Sequence, residues 1–433
     1  MAHAPGLAME QAPPISVPLR FFLSAPLFGV VAATVLIISG PGILSMRWTP
    51  ATLALTHLVT LGFITMTMMG ALLQMMPVIA GSPTWRPRLA SAVIHSLLCL
   101  GIAALGGGLW LDHAGLMQFA LLMLAMALIF FLATMTLSLV RSRVHSSTVS
   151  GMRLAVFSLA ITLAFGLGIG AEHIWQFQTH VVHSWTNVHL AWALIGWVGL
   201  LILSIAYEVV PMFQLTPPYP VWMQRWLSKA MLAVLILWTG AYLVAMPGWI
   251  LTLLGLCMAA VFICFATTTL YLQYHRRRRA NITLNFWRIG MFSLLASVFL
   301  WISGRFLPVL NSWPHYDLLL GTTYIAGFAV SVINGMLYKI VPFLVWFHLQ
   351  SRHIHQAGLP TVKEIIPDRR AYHQMLVHLS ALLLLSAAVI WPKWLTYPAG
   401  VLFATSFLFL AANLIHASRT YIQTAASLDD PIA

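Results

Sequence analysis

Charged side chains are scarce in this sequence. Asp, Glu, Lys and Arg make up only 7% of its 433 residues, and the acidic residues number 9. A soluble globular chain carries about 25% charged residues, so the composition excludes a soluble domain. The 3 cysteines form no C-x-x-C pair, which excludes a disulfide framework and a cysteine-based zinc site. The net charge of +13 is distributed over loops and does not indicate a nucleic-acid partner.

Long apolar runs fill most of the chain, of which 60% is hydrophobic. Each run is about twenty residues long, enough to cross a bilayer as a helix. Because lipid cannot satisfy backbone polar groups, helices are expected throughout. The sequence therefore predicts an all-α polytopic membrane protein in contact with the lipid bilayer, with twelve spans at 21–44, 50–78, 88–110, 117–139, 151–172, 186–213, 227–246, 249–272, 287–309, 317–346, 374–391 and 395–418.

Lys and Arg are concentrated in every second loop, as at Arg86 and Arg88, Arg141 and Arg143, and the run from Arg276. By the positive-inside rule these loops and both termini are predicted to be cytoplasmic. Residues 1–19 contain no long apolar segment, so they are interpreted as a cytoplasmic tail and not as a signal peptide. Residues 20–418 then form one membrane domain, and 419–433 form a second cytoplasmic tail.

Three similar octets occur near the ends of the second, sixth and tenth predicted spans: GALLQMMP, SIAYEVVP and GMLYKIVP. Their prolines are 134 and 131 residues apart, and a glycine stands fifteen residues before each. Self-similarity at a fixed period indicates a repeated structural unit. We therefore predict a pseudo-threefold arrangement of four-helix units, at about 20–140, 151–275 and 285–418.

The residue three positions before each of these prolines is Gln74, Glu208 or Lys339. Charged residues inside membrane spans are costly and are often functional. If pseudo-rotation relates the three helices, Glu208 and Lys339 share a depth, where they pair or share hydrogen bonds. Independent snorkelling to the interface and proton conduction are the alternatives.

Histidines at the opposite ends of these spans are candidate metal or cofactor ligands. His57 precedes its repeat proline by 20 residues and His189 by 22, a difference in depth of about 3 Å. Two imidazoles at matching depth suit axial ligation of a haem, although a hydrogen-bonded interfacial histidine is the simpler interpretation of each. His180 and His183, spaced i and i+3, are candidate copper or zinc ligands. A cytoplasmic group is interpreted as part of a solvated basic loop: His348, His353, His355, His373 and His378.

The segment HLVTLGFITMTMMGALLQMMP, which begins at His57, is similar to the second helix of the nitric-oxide-reductase branch of the haem–copper oxidase catalytic subunits. In that family a histidine there leads into a G-A-x-Y-x-x-V-P-like ending and ligates the low-spin haem. The resemblance implies an axial ligand at His57. It implies a ligand role for His189 only weakly, because the sequence around His189 does not match the family motif.

Other family ligands have no counterpart in this sequence. The predicted seventh span lacks the family's paired histidines, and the tenth span lacks its H-x-H. A binuclear centre of the family type therefore cannot be built, and an oxidase or nitric-oxide reductase activity is left open. If His57 binds haem, its partner must come from elsewhere, and His189 is the candidate. In size and histidine content the chain also resembles the NnrS-like membrane proteins, which are associated with haem and copper.

These resemblances imply a protein of the bacterial inner membrane that binds haem b, with copper as a second expected cofactor. It would handle electrons or a diatomic gas near the periplasmic side, with a respiratory electron donor or a second subunit as partner. Two other classes stay open: a transporter of a metal or small anion that uses Glu208 and Lys339 as a gate, and a haemless assembly subunit of a respiratory complex.

Overall fold

The computed structural model describes residues 11–177, 182–277, 282–352 and 358–429. Over these ranges all regular secondary structure is helical, and twelve helices are long and apolar enough to cross a membrane. The chain is an all-α polytopic membrane protein, as the sequence predicts. We label the twelve spans α1 to α12 in chain order: Ser16–Leu44, Pro50–Ile79, Pro87–Trp110, Ala114–Arg141, Ser147–Trp175, Val182–Gln214, Val221–Leu243, Gly248–Tyr274, Ile282–Phe306, Tyr316–Ser351, Asp368–Ile390 and Pro392–Ser427.

Several helices extend beyond the apolar runs that predict them. Helix α1 begins at Ser16, inside the predicted tail, and its first turn is closed by a bond from Arg20 Nε to the Ser16 carbonyl oxygen (3.1 Å). The last helix continues to Asp429, past the predicted end of the membrane domain. Helical hydrogen bonds form within the backbone and need no apolar side chain. Hydrophobicity therefore marks the membrane-embedded part of a helix better than its ends.

Helices α2, α6 and α10 each contain an eight-residue π-helical segment. The segments are Leu58–Thr65, Trp192–Gly199 and Thr323–Val330. Each segment ends twelve residues before the proline of its octet, so the three helices share a backbone irregularity at the same register. π-helical turns are rare and are frequently found at functional sites.

In each π-helical segment, the glycine fifteen residues before the repeat proline permits close packing against another helix. A Cβ atom at Gly62 would lie 2.5 Å from Phe28 Cβ of α1. At Gly196 it would lie 2.9 Å from Ser158 of α5, and at Gly327 2.7 Å from Ser293 of α9. Each neighbour belongs to the first helix of the corresponding predicted repeat unit. The glycines thus serve the same packing purpose in all three helices.

Contacts within the chain divide it into two compact units. The first unit comprises the described residues within Met1–Pro13, Ala71–Arg279 and Leu294–Trp313. The second unit comprises the described residues within Pro14–Gly70, Ala280–Ser293 and Pro314–Ala433.

The core of each unit is built on small residues that admit large or polar neighbours. In the second unit, a Cβ atom at Gly29 of α1 would lie 2.5 Å from the Phe407 ring of α12, and Phe63 packs edge-on against that ring at 4.9 Å. In the first unit, Gly151 of α5 faces Ser204 of α6, whose hydroxyl lies 3.0 Å from that of Ser228 on α7. Small residues of this kind let membrane helices approach closely.

Candidate functional site

His57 lies in the second unit, immediately before the π-helical segment of α2. The helix begins at Pro50, and Thr49 caps it by accepting a bond from the Thr52 backbone N–H (3.2 Å). The Nδ1 atom of His57 lies 2.8 Å from the carbonyl oxygen of Leu53, one turn earlier. Because a carbonyl oxygen only accepts, this bond places the ring proton on Nδ1 and the lone pair on Nε2. The His57 side chain is half-buried.

His189 lies in the first unit, three residues before the π-helical segment of α6. Its Nδ1 atom lies 3.0 Å from the carbonyl oxygen of Thr162 on α5. This bond fixes the same tautomer as in His57, but it joins two helices. Gly166, one turn further along α5, lies under the ring: a Cβ atom there would be 2.9 Å from His189 Cε1. The half-buried imidazole is therefore positioned by the backbone of α5.

Aromatic and hydroxyl side chains hold the surrounding helices in register. Trp185 packs over Gly168, where a Cβ atom would lie 2.9 Å from the indole, and its ring centroid is 6.0 Å from that of Phe165. Trp192 donates its indole N–H to Thr239 of α7 at 2.9 Å. Such contacts fix the turn of α6 that carries His189.

The two histidines share a feature that metal-bound imidazoles usually have. A ligating histidine almost always donates its second ring N–H to a carboxylate, a backbone carbonyl or water, which fixes the tautomer and raises ligand basicity. His57 and His189 both donate to a backbone carbonyl through Nδ1. The residues present therefore fit iron ligation through Nε2. His57 belongs to the second unit and His189 to the first.

The predicted copper or zinc pair is only partly described. His180 lies outside the described residues, and His183 is exposed near the start of α6. Among the described residues, no group of three or more His, Cys, Asp and Glu side chains could hold a metal ion. The pair at His180 and His183 stays a prediction from the sequence.

The polar residues before the repeat prolines occupy dissimilar environments. Gln74 is buried, and its Oε1 atom has no hydrogen-bond partner in the described chain. Glu208 is exposed and accepts a long bond from Thr148 (3.4 Å), whereas Lys339 is half-buried. Gln74 and Glu208 belong to the first unit and Lys339 to the second. Shared register in the sequence thus does not give a shared environment.

Two buried tyrosines, Tyr207 and Tyr338, directly precede Glu208 and Lys339 and are not among the residues that the sequence predicts to be functional. Tyr207 donates its hydroxyl to the Met223 carbonyl oxygen (3.1 Å), and Tyr338 accepts a bond from Asn413 of α12 (2.9 Å). Both side chains are buried. The octets carry the signal, because SIAYEVVP and GMLYKIVP share a tyrosine four residues before proline.

Two histidines assigned to a solvated basic loop are in fact buried, so that prediction is wrong for them. His378 lies inside α11 with 1% of its surface exposed, and its Nε2 atom lies 2.8 Å from Ser331 Oγ of α10. His348 is buried on α10, with Nδ1 2.9 Å from the Leu344 carbonyl oxygen. His348 lies beyond the predicted end of the tenth span, on a helix that continues to Ser351. His378 lies within the predicted eleventh span, and its contact with Ser331 shows that it faces α10. His353 and His355 lie outside the described residues.

The described fold and side chains define a multi-pass α-helical membrane protein that carries half-buried histidines next to π-helical segments. A comparison with protein-family models gives no match, and a comparison with curated protein sequences gives no match either. The assignment of function therefore depends on the chain's own residues.

Proposed function

We propose that the chain is a membrane haem-binding protein in which His57 and His189 serve as axial-ligand residues. The observation that carries the proposal is the Nδ1 contact of each ring with a backbone carbonyl, 2.8 Å for His57 and 3.0 Å for His189. It selects the tautomer whose Nε2 lone pair binds iron. The sequence resemblance of the His57 segment to the oxidase superfamily is a second, independent support.

The protein's own residues supply ligation, orientation and an apolar surrounding. Leu53 and Thr162 orient the two rings through their carbonyl groups, and Gly166 leaves the space that the His189 ring occupies. A bound haem would supply one-electron chemistry or the binding of a diatomic gas. The charge pattern of the loops extends the proposal to the location of the protein. The chain would lie in a bacterial inner membrane with both termini in the cytoplasm, and both histidines would lie near the periplasmic side.

The visible spectrum of protein purified from haem-replete cells tests the proposal. We expect a Soret band with α and β bands after reduction, and a pyridine haemochrome of haem b. His57→Ala and His189→Ala should each remove or shift these bands. His113→Ala is the matched control, because His113 is exposed and caps α4 by accepting from Leu116 N–H (3.2 Å), and its spectrum should equal that of the parent chain.

A colourless protein that remains folded, obtained from cells with ample haem, would refute the proposal. Retention of an unchanged spectrum in His57→Ala would show that His57 is not a ligand. Circular dichroism of each variant distinguishes loss of haem from loss of the helical fold.

A further inference from the structure

A cluster of polar side chains lies inside the second unit, away from both candidate haem-ligand residues in sequence. It comprises Ser331 and Asn334 of α10, Gln374 and His378 of α11, and Ser406 of α12, and we call it the His378 cluster. Each of these side chains is at most 1% exposed. Five polar side chains buried this completely need partners, because lipid and apolar side chains offer none.

Hydrogen bonds link the three helices at the cluster. Ser331 Oγ lies 2.8 Å from His378 Nε2, and Gln374 Nε2 donates to Ser406 Oγ at 3.1 Å. These bonds place α10 beside α11 and α11 beside α12. Ser331 and Asn334 share one face of α10, and Gln374 and His378 share one face of α11, since residues three and four apart are neighbours on a helix.

Four polar atoms of the cluster have no protein partner among the described residues. They are Asn334 Nδ2, Asn334 Oδ1, Gln374 Oε1 and His378 Nδ1. Consecutive spans run in opposite directions, so the turn after Ser331 lies opposite the turn before His378. This brings Asn334 to about the level of Gln374, and the four atoms to one region.

Apolar and paired residues enclose this region. The Phe286 ring of α9 lies 6.0 Å from the His378 ring and 5.8 Å from the Tyr338 ring, centroid to centroid. The Asn413 amide nitrogen is already bonded to the Tyr338 hydroxyl at 2.9 Å. Phe286 offers no hydrogen-bonding group, and neither Tyr338 nor Asn413 bonds to any of the four atoms.

We propose that the His378 cluster binds internal water molecules, which bridge Asn334, Gln374 and the Nδ1 atom of His378. The balance of donors and acceptors identifies the ligand class. The Asn334 amide offers one donor group and one acceptor, Gln374 Oε1 is an acceptor, and His378 Nδ1 takes either role according to its tautomer. Water donates and accepts at once, and a buried water typically makes about three such bonds.

An ion fits this set of atoms less well. A cation would use only the acceptors and leave the Asn334 donor unsatisfied, and the cluster contains no carboxylate to balance its charge. An anion would leave both amide oxygens unsatisfied. A neutral molecule with both hydrogen-bonding roles meets every requirement, so the buried imidazole of His378 lies in a hydrated site within a membrane-spanning unit.

Water-edited solid-state NMR of the full chain in lipid vesicles tests the proposal. Polarisation is transferred from water protons to side-chain amide nitrogens of protein labelled at asparagine, and each signal is assigned through its own backbone. Asn413 is the matched control, because it is also buried but its amide bonds to Tyr338. We expect the Asn334 signal to build up several-fold faster than the Asn413 signal, approaching the rate at exposed Asn311.

A build-up at Asn334 no faster than at Asn413 would overturn the proposal. Thermal unfolding of Asn334→Leu gives a second criterion. If the cluster is dry, leucine of similar volume removes two unsatisfied atoms and raises Tm. If water satisfies the amide, leucine removes partners from that water, and Tm stays the same or falls. Because the NMR measurement uses the unaltered chain, failure of the variant to fold leaves the test intact.

Discussion

The imidazole of His189 lies directly over Gly166, so close that a Cβ atom on this residue would be 2.9 Å from Cε1 of the ring. Real Cβ contacts at that distance are essentially not found. The position of the His189 ring thus depends on the absence of a side chain at Gly166, together with the bond to the Thr162 carbonyl oxygen.

Gly166→Ala should displace the His189 ring. We expect a loss of about 1–3 kcal/mol in the free energy of unfolding, the usual cost of inserting a methyl group into a packed site, and a shifted Soret band if His189 ligates haem. The measurement is thermal unfolding in detergent with the visible spectrum recorded alongside. Gly240→Ala on α7 is the control, since nothing lies within 4 Å of its added Cβ atom. Equal effects of the two substitutions would contradict the prediction.

Tyr338→Phe should destabilise the second unit by about 1–3 kcal/mol, because it leaves the buried Asn413 amide without its acceptor. Thermal unfolding measures the change. The double variant Tyr338→Phe with Asn413→Leu should recover part of the loss, since both polar partners are then gone. Tyr372→Phe, at an exposed position on α11, is expected to leave Tm unchanged. Additive effects of Tyr338→Phe and Asn413→Leu would show that the bond carries no stability.

The loop between α10 and α11 should respond to acid through Glu364. Its carboxylate accepts a bond from the Thr361 backbone N–H (2.7 Å), which lowers the pKa of Glu364 below its ordinary value. A lowered folded-state pKa means that the contribution to stability is complete above the unfolded-state pKa, about 4.3, and is lost as the pH falls through the folded-state pKa.

Carbon NMR of labelled glutamate follows this titration, since the sequence holds glutamate at only four positions: Glu10, Glu172, Glu208 and Glu364. Thr361→Pro removes the donating N–H and should return the Glu364 titration to the ordinary range. An unaltered chain in which Glu364 titrates at or above about 4.3 would contradict the prediction.

The predicted topology can be tested at two loops. In a chain without native cysteines, His145→Cys between α4 and α5 should react with a membrane-impermeant maleimide only after cell lysis. Met246→Cys, between α7 and α8, should react in intact spheroplasts. The expectation follows from the Lys and Arg content of alternate loops. Labelling of both positions from the same side would contradict it, because an odd number of spans separates the two loops.

The sequence alone predicts the number and order of the spans, because burial in lipid demands runs of apolar residues that nothing else in a protein requires. It does not predict where helices end, as Ser16 and Asp429 show. The π-helical segments are also invisible in it: LVTLGFIT, WALIGWVG and TYIAGFAV contain the same residue types as α-helical spans, and packing decides their geometry.

For the histidines too, the sequence predicts the position on a helix, whereas tertiary packing decides burial and hydrogen-bond partners. The sequence predicts that His57 lies on the second span, and the structure places it there. His378 is misjudged because Arg369 and Arg370 stand near it, although the ring points into the second unit at Ser331. The partners of a buried polar residue come from distant parts of the chain, and a single sequence does not show which helices meet.

Each π-helical segment also acts as a phase shift along its helix. A π turn closes its hydrogen bond one residue later than an α turn, so the histidine before the segment and the proline after it are not related by the ordinary helical wheel. If Leu58–Thr65 became regular α-helix at unchanged length, His57 would rotate by about 100° relative to Gly70, whereas deleting one residue would remove the π turn and leave that orientation nearly unchanged. The π-helical geometry of this segment, more than its length, therefore sets the direction of the imidazole.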